Sequence, residues 1–130
     1  MKTDNALPLM GLALRAGRLE AGEEPVATAC AARRCRLLLT AQDAAGKTLR
    51  RAACFAEEGQ CLSLPLPYSK EEIGAALGRA SCAVAAVTDL GLAQAIVQRL
   101  AAADPAAYGP AAERLSLKAK RAAQRRAKRK

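Results

Sequence analysis

Leu37, Leu38 and Leu39 are apolar at three consecutive positions. Successive side chains of a strand point to opposite faces, so such a strand needs cover on both sides. The run Cys35–Ala41 is therefore predicted as a buried strand, and Cys61–Leu66 and Cys82–Val87 read as two more core strands. Pro65 and Pro67 limit the first of these. Arg18–Ala21 gives a further short strand or extended link. Helical patterns fill the gaps: Asn5–Ala16, Glu23–Arg34, Ala44–Glu58, a helix from Ser69 to about Gly78, and Leu90–Ala102. Strands alternating with helices predict an α/β protein, a three-layer α/β/α sandwich with a small mixed sheet.

Local chemistry supports the boundaries. Glu23 and Glu24 suit the positive end of a helix dipole, and Pro25 is tolerated in a first turn. Ser69-Lys70-Glu71-Glu72 fits a capping box, in which the serine hydroxyl and the Glu72 carboxylate each satisfy the other's backbone N–H. Gly17 and Gly59 read as helix stops. The segment from Gly22 to Gln42-Asp43 brings a helix N-terminus and a strand C-terminus into one short stretch. Ligands gather at such edges because backbone N–H groups there are not consumed by the core.

Charge is unevenly placed. The chain of 130 residues carries a net +9, yet residues 111–130 hold nine Lys or Arg against the single acid Glu113. That stretch is +8 and the remainder is +1. Asp104-Pro105 and Gly109-Pro110 read as linker punctuation. The expected organisation is a folded domain over 1–104 and a linker plus basic tail over 105–130, the tail helical or disordered because it offers few large apolar groups to bury. Basic tails of this kind meet phosphate polymers or anionic membranes. No apolar run approaches the ~20 residues of a membrane span, and no apolar leader is read at the start, so a cytoplasmic location and no membrane partner are expected.

Catalytic chemistry finds little support. The chain has no histidine, which removes Ser-His and Cys-His pairs. The acid pairs Glu23-Glu24, Glu57-Glu58 and Glu71-Glu72 are neighbours that point about 100° apart on a helix, a poor arrangement for sharing a proton. Ala41-Gln42-Asp43-Ala44-Ala45-Gly46-Lys47-Thr48 approaches a phosphate-binding P-loop, but Ala41 stands where the leading glycine belongs. Five cysteines, at 30, 35, 54, 61 and 82, include no Cys-x-x-Cys pair. A zinc site would have to use four scattered thiolates, so reduced, mostly buried thiols are expected, with no metal and no cofactor.

The runs MGLALRAGRLEAGEEPVATACAARRCRLLLTAQDAAGKT and YSKEEIGAALGRASCAVAAVTDLGLAQAI resemble the bacterial YlxQ branch of the kink-turn-binding ribosomal protein family, the L-seven-Ae and L-thirty-e superfamily. The resemblance covers about Leu9 to Leu100. Its most specific pieces are Gly11-Leu12-Ala13 with Arg15-Ala16-Gly17, then Ala21-Gly22-Glu23, then Ala86-Val87-Thr88-Asp89-Leu90-Gly91. It implies an α/β/α sandwich and a non-catalytic RNA-binding protein associated with the ribosome or translation.

Kink-turn binders of the family read sheared G·A pairs with an Asn-Glu pair and a nearby Lys at the start of the second helix. At those positions this chain has Glu24, Pro25 and Thr28. Glu24 accepts hydrogen bonds but donates none, Pro25 offers no polar side chain, and Thr28 carries no charge. Reduced kink-turn specificity is therefore expected. The family also presses the loop before the last strand onto RNA, and here that loop begins at Arg79.

The expected RNA-binding residues are Gly22, Glu24, Thr28, Gln42, Lys47 and Arg79 at the folded edge. The tail adds Lys118, Lys120, Arg121, Arg125, Arg126, Lys128, Arg129 and Lys130 for electrostatic affinity. Arg33, Arg34 and Arg36 form a further basic cluster whose place is open. The alternative is a protein-interaction module that kept the fold and binds the transcription or translation machinery.

Overall fold

The computed structural model describes residues 5–128, so the expected tail contacts Arg129 and Lys130 lie outside the described residues. The elements run α1 (Leu7–Arg15), β1 (Leu19–Ala21), α2 (Glu23–Ala31), β2 (Leu37–Thr40), α3 (Gly46–Gly59), β3 (Leu62–Pro65), α4 (Lys70–Leu77), β4 (Val84–Val87), α5 (Leu90–Ala103) and α6 (Pro105–Lys128).

Four strands form one sheet in the order β1-β4-β2-β3. β4 is antiparallel to both β1 and β2, while β2 and β3 are parallel, so the sheet is mixed. The register sets Leu37 opposite Val87 and Leu39 opposite Ala85 on one face, and Leu38 opposite Ala86 on the other. Leu37, Leu39, Ala85 and Val87 join one core cluster with Met10 of α1, Ile73 of α4, Ile96 of α5 and Leu115 of α6. Leu38, Val84 and Ala86 join a second with Val26 of α2 and Ala52 of α3. Helices thus cover both faces, which is the three-layer sandwich that consecutive leucines require.

The capping box forms as expected: Ser69 Oγ accepts from Glu72 N–H at 3.1 Å and Glu72 Oε1 accepts from Ser69 N–H at 2.9 Å. Asp89 Oδ2 caps α5 by accepting from Leu92 N–H at 2.8 Å. β3 departs from the expected core strand. It lies at the sheet edge with alternating exposure, which accommodates Pro65 because an edge strand loses no ladder bond to a missing N–H. Gly59 is the last residue of α3 rather than its left-handed stop, and Gln60 takes the left-handed conformation.

The largest correction concerns residues 105–110. The expected linker is the beginning of α6. Asp104 Oδ1 accepts from Ala107 N–H at 3.2 Å, and Pro105 occupies the first helical position, where its missing N–H costs nothing. Asp-Pro is a helix start here. The helix continues through Pro110, and Tyr108, Ala111 and Leu115 are buried against the core. The tail is helical across all its described residues, and its first half is packed in place.

Candidate nucleic-acid interface

One end of the sheet assembles the expected folded-edge residues. β1 leaves there into Gly22, β4 enters, and β2 leaves into Ala41-Gln42. Gly22 N–H donates to Val84 O at 3.0 Å and Ala41 N–H donates to Ala83 O at 2.9 Å, which fixes both turns against the start of β4. Gly22 precedes α2 with φ 99° and ψ 158°, a conformation that is essentially glycine's alone. No side chain caps this helix.

Arg79 reaches the same turn. Its Nη1 donates to Ala21 O at 3.3 Å, and it would lie 3.9 Å from a Cβ on Gly22. The loop that carries Arg79 is held close by Gly74, where an added Cβ would stand 2.8 Å from Arg79 O and 2.6 Å from Ser81 Cα. Glu24, Pro25 and Thr28 are exposed on α2 beside it. Thr28 Oγ1 donates back to Glu24 O at 3.1 Å, so its hydroxyl hydrogen is already engaged. Glu23 pairs with Arg51 of α3 at 3.2 Å. Gln42 is exposed one strand further along, with its N–H donating to Tyr68 O at 2.9 Å, and Lys47 is exposed in the first turn of α3.

The basic tail does not join that edge. Lys118, Arg121 and Arg125 recur at helical spacing along α6 and line a cavity of about 410 Å³ together with Arg33, Cys35, Arg36, Gly59, Gln60, Cys61 and Leu90. This cavity lies at the opposite end of the sheet, since Arg36 N–H donates to Val87 O at 2.7 Å while Gly22 N–H binds Val84 O. The length of β4, about 10 Å at strand rise, separates the two ends. Five cations face the cavity and no acid lines it. Lys120, Arg126 and Lys128 are exposed on the same helix but do not line it.

Two left-handed residues, one of them a cation, line this space. Arg33 (φ 59°) and Gln60 (φ 52°) are the non-glycine residues with positive φ among the described residues, and both line the cavity. Arg33 closes α2: its N–H donates to Cys30 O at 3.0 Å, and Arg34 N–H donates to Ala29 O at 2.9 Å. Glycine ordinarily fills the left-handed position of this motif. Arg33 Nη1 then donates to Gln60 Oε1 at 3.1 Å. Sequence reasoning found Arg33 and Arg36 as a cluster but had no means of pairing them with α6, because the pairing depends on how α6 docks.

The cavity floor is sulfur. Cys35 and Cys61 Sγ atoms hydrogen-bond at 3.4 Å. That bond holds the Cys61 thiol down at about 7, helped by Lys118, while the same bond and burial push Cys35 up. Burial likewise raises Cys30 to about 11.

No helix among the described residues is long and apolar enough to cross a membrane. No family model matches the chain. The chain is 32% identical over 97 residues to RNA-binding protein YlxQ of Bacillus subtilis (strain 168), covering 72% of this chain and 92% of that protein. Among solved structures, a Bacillus halodurans protein of unknown function superposes with a TM-score of 0.66 at 26% identity, over 73% of this chain and 95% of its own. The Giardia lamblia 15.5 kD RNA binding protein shares the fold with a TM-score of 0.58 at 15% identity, over 72% and 79%. The extent and identity of the match to YlxQ make this chain a member of the YlxQ-like family.

Proposed function

We propose that the chain is a non-catalytic RNA-binding protein that grips structured RNA mainly through its phosphate backbone, and that it works in the cytoplasm with the ribosome or the translation machinery. The observation that carries this reading is the wall of Arg33, Arg36, Lys118, Arg121 and Arg125 around a cavity with no acid in its lining. Cations gathered without counter-charges attract phosphate and release counterions on binding. Family membership supports the same partner, since the Bacillus subtilis relative is an RNA-binding protein.

Kink-turn selectivity is reduced in this reading. Glu24 offers acceptors in place of an amide, Pro25 has no polar side chain, and the Thr28 hydroxyl is spent on Glu24 O. Gly22 and Arg79 keep the shape of the edge, with Gln42 and Lys47 beside it, so this end orients RNA without reading the sheared pairs. The test compares binding of the full chain to a kink-turn RNA and to a plain duplex of equal length. Comparable affinities are expected. A strong preference for the kink-turn would contradict the reduced selectivity, and failure to bind either would overturn the RNA reading.

The altered α2 face also favours a second reading, a protein-interaction module for the transcription or translation machinery. Association with such a partner that persists after nuclease treatment would support it, and association abolished by nuclease would count against it.

A further inference from the structure

Cys30, Cys35 and Cys61 come from three separate places in the chain: the last turn of α2, the link into β2 and the lead into β3. The fold brings their sulfur atoms within 4.8 Å of one another, and the Cys35–Cys61 pair stands at 3.4 Å. Gly59 makes this possible, because a Cβ there would meet Cys30 Cβ at 3.1 Å and hold α3 away from α2. Cys30 is fully buried, whereas Cys35 and Cys61 line the basic cavity.

Three sulfurs at a zinc–sulfur distance of ~2.3 Å in tetrahedral geometry lie ~3.8 Å apart. The triad therefore matches a metal cage after shifts of no more than about an ångström. We propose that Cys30, Cys35 and Cys61 form a three-thiolate site for a thiophilic d10 cation of the zinc(II) class, open to the cavity at its fourth position. Thiolate donors select such ions over magnesium or calcium. Three thiolates on a divalent ion leave a net charge of −1, and Lys118, Arg33 and Arg36 around the same cavity balance it. The cavity supplies the entry path and room for a water or another small donor as fourth ligand. The site ties the end of α2 to the starts of β2 and β3, so metal binding would stiffen the wall that holds Arg33 and Arg36.

The test uses the reduced full chain with cobalt(II) alone as probe, followed by displacement with zinc(II). Uptake of one equivalent with a thiolate-to-cobalt charge-transfer band, abolished by zinc(II), is expected. Zinc(II) should protect half-buried Cys61 from alkylation and leave exposed Cys54 reactive. Cys61→Ser, at the half-buried member, should weaken binding by about tenfold or more, the lower bound set by loss of even an outer-shell partner. It should also cut the band by about a third if three thiolates bind. Cys54→Ser should match the parent chain. Absence of the band, a band unchanged in Cys61→Ser, or formation of a Cys35–Cys61 disulfide without metal uptake would each overturn the site.

Discussion

Arg33 and Gln60 meet across the basic cavity, Nη1 to Oε1 at 3.1 Å, and each holds left-handed backbone where glycine would be less strained. Each residue therefore combines a backbone turn that glycine could make with a side chain that lines the cavity. Replacing Arg33 with glycine separates the two roles. Arg33→Gly should leave thermal stability unchanged or raise it by up to about 1 kcal/mol, since relief of left-handed strain outweighs the added freedom of the unfolded chain. RNA affinity should fall and its salt slope should lessen by about 0.9 on duplex, the contribution of one phosphate contact. Melting curves and a salt titration read the two effects independently.

Tyr108 fastens α6 to the sheet edge. Its hydroxyl donates to Pro65 O at 2.6 Å, and burial, with Asp104 and Tyr68 nearby, raises the phenol above its usual 10.0. A phenol that ionises later in the folded state favours folding below the unfolded value and loses that contribution as pH rises through the folded one. Stability should therefore decline above pH 10, and Tyr108→Phe should flatten that decline. At neutral pH the same substitution should cost about 1 kcal/mol for the lost hydrogen bond. Denaturant midpoints across an alkaline pH series check both statements.

Leu115 is fully buried, although it lies in the stretch whose composition predicts a basic tail with little to bury. Leu115→Ala should destabilise the chain by about 2–5 kcal/mol through lost burial and a cavity. Leu117→Ala, two residues on and 49% exposed, should change stability by less than about 0.5 kcal/mol. Equal effects at both positions would mean that α6 does not dock as described.

On the proposed reading, placing the family's kink-turn residues on α2 should raise selectivity. Glu24→Asn, Pro25→Glu and Thr28→Lys together place an amide, a carboxylate and a cation on the exposed face of α2 beside Gly22 and Arg79. The triple variant should favour a kink-turn over a plain duplex by about 1–3 kcal/mol, the usual worth of a good base contact. Paired binding isotherms on the two RNAs measure it.

The layers were legible because they follow from short-range chemistry. Consecutive apolar runs such as Leu37–Leu39 and Val84–Val87 demand cover on both faces, and Ser69 with Glu72 announces a helix start. The folded edge was legible through Gly22, whose backbone has a conformation other residues resist. The rest depends on contacts between distant segments. Asp104-Pro105 carries one signal for a linker and a helix start alike, and what decides is the burial of Tyr108 and Leu115 against the core. Cys35 and Cys61 are 26 positions apart and are joined by the parallel pairing of β2 with β3, while Cys30 reaches them through the close approach of α2 to α3 at Gly59. The exposed side of β3 follows from strand order, which its apolar residues do not encode.

The central claim is that the cavity cations hold RNA phosphate. The most direct measurement is the salt dependence of duplex RNA binding for the parent chain and for the triple variant Lys118→Gln, Arg121→Gln and Arg125→Gln, all exposed on α6. The slope of log affinity against log salt should lessen by about 2.7 in the variant, three phosphate contacts at about 0.9 each, with unchanged thermal stability. An unaltered slope and affinity would contradict the account and leave the cavity without RNA.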